Sequence, residues 1–354
     1  MAEIKQKIDS QYLRNFVPIS ELTSDNLQEL ARGTYVEQLQ AGQTLFKKGD
    51  QDNRSYYILT GEIELDDGEG APKVIVGATG PSRFPLDHHR PRHATARART
   101  PVQYFHVDNN HLDLLLTWDQ NASYKVAEIE EKESEDDGDW MTHMLRSSIF
   151  HRIPASNIQA MFMKMEAQPR RAGDVVIRQG DDGDYYYYLK QGRAVVTRDT
   201  KTGQSIKLAE LNPGASFGEE ALISDSKRNA NVTMLTDGSV MRLAKADFAA
   251  LLKEAVLQSV TFEQAQKMVQ QGAVWLDVRL DSEYKNASLP GAINMPLYLL
   301  RMKAASLDHD KKYVVYCDTG RRSSSACYLL TERGFDAYVL KGGLMALKQS
   351  QKAS

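Results

Sequence analysis

One pattern in this chain occurs twice. Ala41-Gly42, Gly49-Asp50, Tyr56-Tyr57 and Gly61 return as Ala172-Gly173, Gly180-Asp181, Tyr187-Tyr188 and Gly192, with the same internal spacing and no gap. The separation, about 131 residues, is far longer than the roughly 20–50 residues of a solenoid repeat, so it marks duplication of a whole domain. Gly-Asp pairs between short runs of alternating apolar and polar residues read as turns between strands. Each copy follows a helical stretch (26–31 and 157–164) and precedes alternating runs (61–65 and 192–197). The expectation is two β-rolls of the double-stranded jelly-roll kind with flanking helices.

Between the copies lies an acidic run over 128–139. Like charges repel and stay solvated, so it reads as a linker or an exposed helix end. The chain is thus expected to divide into a first roll at 1–120, an acidic linker at 121–140, a second roll at 141–256 and a third domain at 257–354. A length of 354 residues accommodates this. The net charge of −3 makes no broad electrostatic case for nucleic acid or an anionic membrane. No apolar run approaches the ~18 residues that span a bilayer, and the N-terminus lacks the apolar centre of a signal peptide. Two cysteines cannot build a disulfide framework. A cytoplasmic protein is expected.

Tyr316-Cys317-Asp318-Thr319-Gly320-Arg321-Arg322-Ser323 follows the apolar run Tyr313-Val314-Val315-Tyr316. A helix is read over 324–330, closed by Gly334. Strand, Gly-containing loop, helix aims several backbone N–H groups at one sulfur. Such surroundings stabilise a thiolate, and Arg321 and Arg322 add positive charge for an anionic substrate. Cys317 is therefore the candidate nucleophile.

Three further stretches accompany it: Val274-Trp275-Leu276-Asp277-Val278-Arg279; Glu283-Tyr284 with Leu289-Pro290-Gly291-Ala292-Ile293-Asn294-Met295-Pro296; and Lys341-Gly342-Gly343. Together with the Cys loop they resemble the rhodanese family over roughly the last 95 residues. The resemblance implies an α/β sulfurtransferase fold with a parallel sheet over 257–354. Cys317 would carry a persulfide, cradled by Asp318, Thr319, Gly320, Arg321 and Arg322. Related phosphatases have a loop one residue longer, usually with His before the Cys; the shorter loop and Tyr316 favour sulfur over phosphate. Ala287-Ser288 stand where the family usually has Gly-His, and Leu347 where an aromatic is common.

The second roll carries Phe217-Gly218-Glu219-Glu220-Ala221-Leu222, then Arg228-Asn229-Ala230-Asn231-Val232. This resembles the phosphate-binding cassette of cyclic nucleotide-binding domains, which implies cAMP or cGMP as a regulatory ligand. The physics agrees: Arg228 can meet a phosphodiester anion with two N–H donors, and a short helix from Glu219 offers free backbone N–H groups. Glu219 can accept from a ribose 2′-hydroxyl, and Gly218 permits close approach. Phe217, Glu220, Ala221, Asn229 and Ala230 complete the cassette. Lys227 and Asn229 flank the arginine where Pro and Ala are frequent, leaving the base open.

The first roll reads Arg83-Phe84-Pro85-Leu86-Asp87-His88-His89-Arg90-Pro91-Arg92-His93-Ala94 in the corresponding place. Arg92 matches the cassette's end and the Phe-Gly-Glu start is missing, so this roll is expected to have lost ordinary nucleotide binding. Adjacent His88-His89 lack helical ligand spacing, and no metal is expected; Arg83, Arg90 and Arg92 are the better candidates for an anion site. Tyr185 to Tyr188 should alternate across a strand, half of them packing inward. Cys327 reads as a small core residue, and Thr261 with Gln264 as a capping box.

Behind the second roll's last helix, read over 247–254, the third domain follows within a few residues. A lid for the base would then come from the rhodanese-like domain or a partner subunit, a homodimer being the oligomer the resemblance suggests. The leading reading is a cyclic-nucleotide-regulated sulfurtransferase with an unidentified sulfur donor and thiol acceptor. The alternative is a non-catalytic signalling adaptor that uses the third domain for docking or redox sensing. A transcription factor lacks its helix-turn-helix.

Overall fold

The computed structural model describes residues 6–87, 91–122, 140–199 and 204–346. The acidic run 128–139, His88, His89, Arg90 and Leu347 lie outside the described residues.

In the first roll one sheet has the order Gln6–Lys7, Tyr35–Leu39, Val102–Asp108, Arg54–Thr60, and the other Thr44–Phe46, Thr95–Ala98, Glu62–Asp66, Lys73–Val76. All neighbours are antiparallel. The period-2 pattern sorts the strand Arg54–Thr60. Tyr56 and Ile58 meet Phe46, Ile63 and Ala96 inside the roll, and Tyr57 and Leu59 face the helices. The second roll repeats this with Ser216–Phe217, Tyr185–Gln191, Gly238–Ala244, Glu166–Arg170 against Val175–Ile177, Asn231–Met234, Ala194–Asp199, Ser205–Leu211. Gly49 and Gly180 hold the duplicated turns at φ 94° and 88°.

The third domain is a five-stranded sheet in the order Ser259–Val260, Asp336–Leu340, Lys312–Tyr316, Val274–Asp277, Ile293–Asn294, parallel throughout. Tyr313 and Val315 enter one core and Val314 and Tyr316 the other, so both faces are covered. Cys327 lies in the first of these cores, and Thr261 and Gln264 form the expected capping box.

Three helices join the domains. α1 (Asn109–Ala122) leaves the first roll, α2 (Glu219–Ser224) sits in the second, and α3 (Arg321–Glu332) comes directly after the Cys loop. α1 packs Leu112, Leu115 and Leu116 with Leu280 of the third domain. On the other side Tyr328 of α3 joins Leu222 and Ile223 of α2. The third domain therefore rests on both rolls, which explains one departure from expectation. Tyr187 lies inside its roll, but Tyr186 and Tyr188 are buried as well, beneath helices and the third domain. No helix among the described residues is long and apolar enough to cross a membrane.

Candidate functional site

The strand Lys312–Tyr316 delivers Cys317 to a loop turned by Gly320 at φ 99°. α3 begins at Arg321, three residues before the expected start. A Cβ at Gly343 would stand 2.4 Å from the Cys317 carbonyl, so only glycine lets this neighbouring turn close over the loop. It then donates from Leu344 N to Cys317 O (2.9 Å) and from Met345 N to Asp318 O (3.0 Å). Cys317 Sγ accepts from Gly320 N at 3.2 Å and Ser323 N at 3.4 Å, with Ser323 Oγ at 3.6 Å. The N–H cradle is present.

Its electrostatic result is opposite to the expected one. Cys317 is wholly buried. Burial first, and then the Asp113 carboxylate, push its thiol up to about 11 against the opposing pull of Arg322 and Ser323. Desolvation penalises the thiolate more than three N–H or hydroxyl contacts favour it.

Arg321 and Arg322 also depart from the expectation of charge held out for an anionic substrate. Arg322, fully buried, forks onto Glu283 (Nη1–Oε2 2.7 Å, Nη2–Oε1 3.0 Å), reaches Asp318 at 3.1 Å, and presents Nε to Asp113 Oδ1 at 2.8 Å. Thr319 Oγ1 donates to the other oxygen of Asp113. Arg321 Nη1 donates to the carbonyls of Ser224 and Asp225, at the end of α2. Beside them Arg279 pairs with Asp277 at 2.7 Å and Asp318 at 3.2 Å, and donates to Ala287 O at 2.6 Å. The loop is thus held by the first roll through Asp113 and by the second through α2. Sequence reasoning reaches Glu283 only as part of a motif. It misses Asp113, whose one signal is a lone carboxylate within the apolar run Leu112-Asp113-Leu114-Leu115-Leu116.

In the second roll the cassette residues come together. Phe217 stacks on Tyr187 at 5.2 Å. Gly218 takes φ 86°, where a Cβ would meet Arg228 Nη1 at 2.8 Å, so glycine is needed for the guanidinium to lie across the backbone. Arg228 donates to Gly218 O (2.5 Å), Tyr185 O (2.6 Å) and Asp184 Oδ1 (2.8 Å). Asn229 Nδ2 donates to Glu220 Oε2 at 2.6 Å, and Ala221 and Ala230 are buried. Glu219, half-buried, opens α2. A guanidinium has five N–H donors. Three are used here, and among the described residues Nε, one Nη1 hydrogen and the backbone N–H groups of Asn229 and Ala230 have no partner. Those donors converge beside one arginine, which suits a compact anion.

Of the three arginines read as an anion site in the first roll, Arg83 donates through Nε to Asn15 O at 3.0 Å and Arg92 pairs with Asp52 at 2.8 Å, while Arg90 lies outside the described residues. Among the described residues no three His, Cys, Asp or Glu side chains are grouped to hold a metal ion.

The model of the cyclic nucleotide-binding domain matches residues 36–117 and 168–255, and that of the rhodanese-like domain matches 261–350. The chain is 25% identical over 299 residues to mouse (Mus musculus) cGMP-dependent protein kinase 2, covering 81% of this chain and 36% of the kinase. It is 26% identical over 257 residues to the cAMP-dependent protein kinase regulatory subunit of Dictyostelium discoideum, covering 70% and 74%. This chain therefore spans about a third of the kinase's length. Among solved structures, the regulatory domain of Toxoplasma gondii PKA with cAMP aligns at 17% identity and TM-score 0.31, covering 75% of this chain and 99% of that one.

Proposed function

Taking the chain as two cyclic nucleotide-binding domain segments joined to a rhodanese-like domain, we propose that it is a sulfurtransferase whose Cys317 loop is governed by a cyclic nucleotide, cAMP or cGMP, in the second roll. Cys317 as thiolate attacks the outer sulfur of a sulfane donor. The new S–S bond forms as the donor's S–S bond breaks, thiosulfate leaving as sulfite. The persulfide then passes its outer sulfur to cyanide or a thiol, regenerating the thiolate.

The observation that carries the regulatory part is the pair of contacts from Arg321 to Ser224 and Asp225. The cassette helix and the Cys loop share them, so a displacement of one is felt by the other. An anion engaging Arg228, Asn229 and Ala230 acts at one side of α2; its far end holds the loop. Regulation then requires only that the ligand favour an arrangement in which α2 releases Arg321, and couplings of this kind amount to about 1–3 kcal/mol. With Cys317 buried, the arrangement described here is the closed one, and the nucleotide is an activator.

Thiosulfate-to-cyanide transfer with and without saturating cAMP or cGMP tests this, with Cys317→Ser as blank. The expected result is a Cys317-dependent rate that rises several-fold with one nucleotide. No transfer from two different sulfane donors in any condition would discard the enzyme. The adaptor reading, which the burial and raised pKa of Cys317 favour, would then stand. Separately, Arg228→Ala removes the charged donor of the anion site. Charge-assisted hydrogen bonds contribute about 1.5–3 kcal/mol each, so nucleotide affinity by calorimetry should fall about 100-fold while the fold persists. Unchanged affinity would place the ligand elsewhere.

A further inference from the structure

The two rolls can be aligned atom by atom at their arginines. Gly49 N donates to Arg92 O (2.8 Å) and Arg92 N to Asp50 O (2.9 Å); in the second roll Gly180 N donates to Arg228 O and Arg228 N to Asp181 O, both at 2.8 Å. Gly49 and Asp50 correspond to Gly180 and Asp181 in the sequence repeat. Arg92, His93 and Ala94 therefore occupy the places of Arg228, Asn229 and Ala230.

At those matched places the donors differ in what they hold. In the first roll one carboxylate oxygen, Asp87 Oδ2, accepts from His93 N at 2.5 Å and Ala94 N at 2.8 Å. The equivalent N–H groups of the second roll are among the donors without a partner in the described residues. Arg92 likewise uses all five of its N–H donors: Nε and Nη2 on Asp52 at 3.1 and 2.8 Å, Nη2 also on Arg54 O at 2.5 Å, and Nη1 on Leu86 O and Asp87 O at 3.1 and 2.5 Å. Its guanidinium lies 4.3 Å from the Phe46 ring and 5.1 Å from that of Tyr56. At these matched groups no donor remains for an incoming anion.

We propose that Asp87 is a tethered internal anion, seated where the second roll would take a ligand's phosphate, and that it makes the state of the first roll independent of cyclic nucleotide. An attached carboxylate loses no translational freedom on binding, so a dissolved phosphate at cellular concentration does not displace it. The assignment also suits the position of α1, which leaves this roll carrying Asp113. The loop of Cys317 is held on this side by a roll that does not respond to ligand, and on the other by one that can. The proposal does not depend on the chemistry of Cys317.

Asp87 sits at φ 32°, in the region glycine tolerates, so Asp87→Gly removes the carboxylate without adding backbone strain. In an Arg228→Ala background, which silences the second roll, the probe is inorganic phosphate, followed by cAMP. The expected result is phosphate-dependent protection of Asp87→Gly against thermal unfolding by several degrees, absent from the parent with Asp87 intact. Asp87→Asn keeps the side-chain shape and loses the charge, and serves if the glycine variant does not fold. Its melting should also become phosphate-dependent, to a smaller extent. Equal phosphate response in the parent and in whichever of the two variants folds would overturn the proposal, as would cAMP binding to the intact first roll of the Arg228→Ala protein.

Discussion

Arg322→Met is expected to destabilise the chain by about 3–5 kcal/mol, the range found when one partner of a buried ion network is removed. The arginine is wholly buried, hydrogen-bonds Glu283 and Asp318, and neutralises Asp113 as an ion pair. Methionine fills much of the volume but leaves three carboxylates facing one another. Glu283 and Asp113, each with only 5% of the side chain exposed, cannot turn to water. Lysine should restore little, since one ammonium cannot reproduce a fork that meets Glu283 with two nitrogens and presents a third to Asp113. Urea unfolding of the full chain checks this. Because the network joins the first roll to the third domain, the variant's transition should also separate into more than one step. A variant within about 1 kcal/mol of wild type would mean that the network is not what joins them. Adding Glu283→Gln and Asp113→Asn to Arg322→Met should recover much of the loss, because it removes the stranded charges rather than restoring the pair.

Much of this architecture is legible in the sequence because its signals are local. The repeat marks the turns at Gly49 and Gly180, and the run ending at Tyr316 marks the central strand that carries Cys317. Legibility ends where a residue's partner lies far along the chain. Asp113 is more than 200 positions from Thr319 (|i−j| = 206), and nothing near Asp113 announces a rhodanese-like loop. Arg321 and Arg322 read as substrate ligands because their partners are distant in sequence: Arg321 donates to the end of α2 in the second roll, and Arg322 pairs with Asp113 of α1 as well as with Glu283, 39 positions away. The thiol shows the same failure in energetic form. The N–H cradle can be inferred from the loop alone, but its effect on Cys317 depends on burial and on the distant Asp113 carboxylate. Asp87 escapes notice because a carboxylate in a degenerate motif resembles loss, whereas its hydrogen bonds show substitution.

Asp113→Asn should release Cys317. The carboxylate raises the thiol's pKa through space and grips the loop through Thr319 and Arg322. Asparagine keeps the shape, removes the negative charge and weakens the grip. Each unit by which the thiol moves down from about 11 is tenfold in thiolate at neutral pH, so alkylation of Cys317 at pH 7.5 should rise by about tenfold or more. The pH dependence has a definite sign. In wild type the neutral thiol is held until the pH nears 11, and the alkylation rate climbs across the alkaline range. In the variant the same climb should begin at lower pH. The neighbouring Cys327, whose thiol burial pushes up to about 12, is the internal control and should stay unreactive in both. Arg321→Ala separates the two grips. It cuts the link to α2 while leaving Asp113 in place, so nucleotide binding should persist while its effect on Cys317 alkylation disappears. Superimposable rate–pH profiles for wild type and Asp113→Asn would show that Asp113 neither holds the loop nor tunes the thiol. A nucleotide effect surviving in Arg321→Ala would send the coupling through the Tyr328 contact with Leu222 and Ile223 instead.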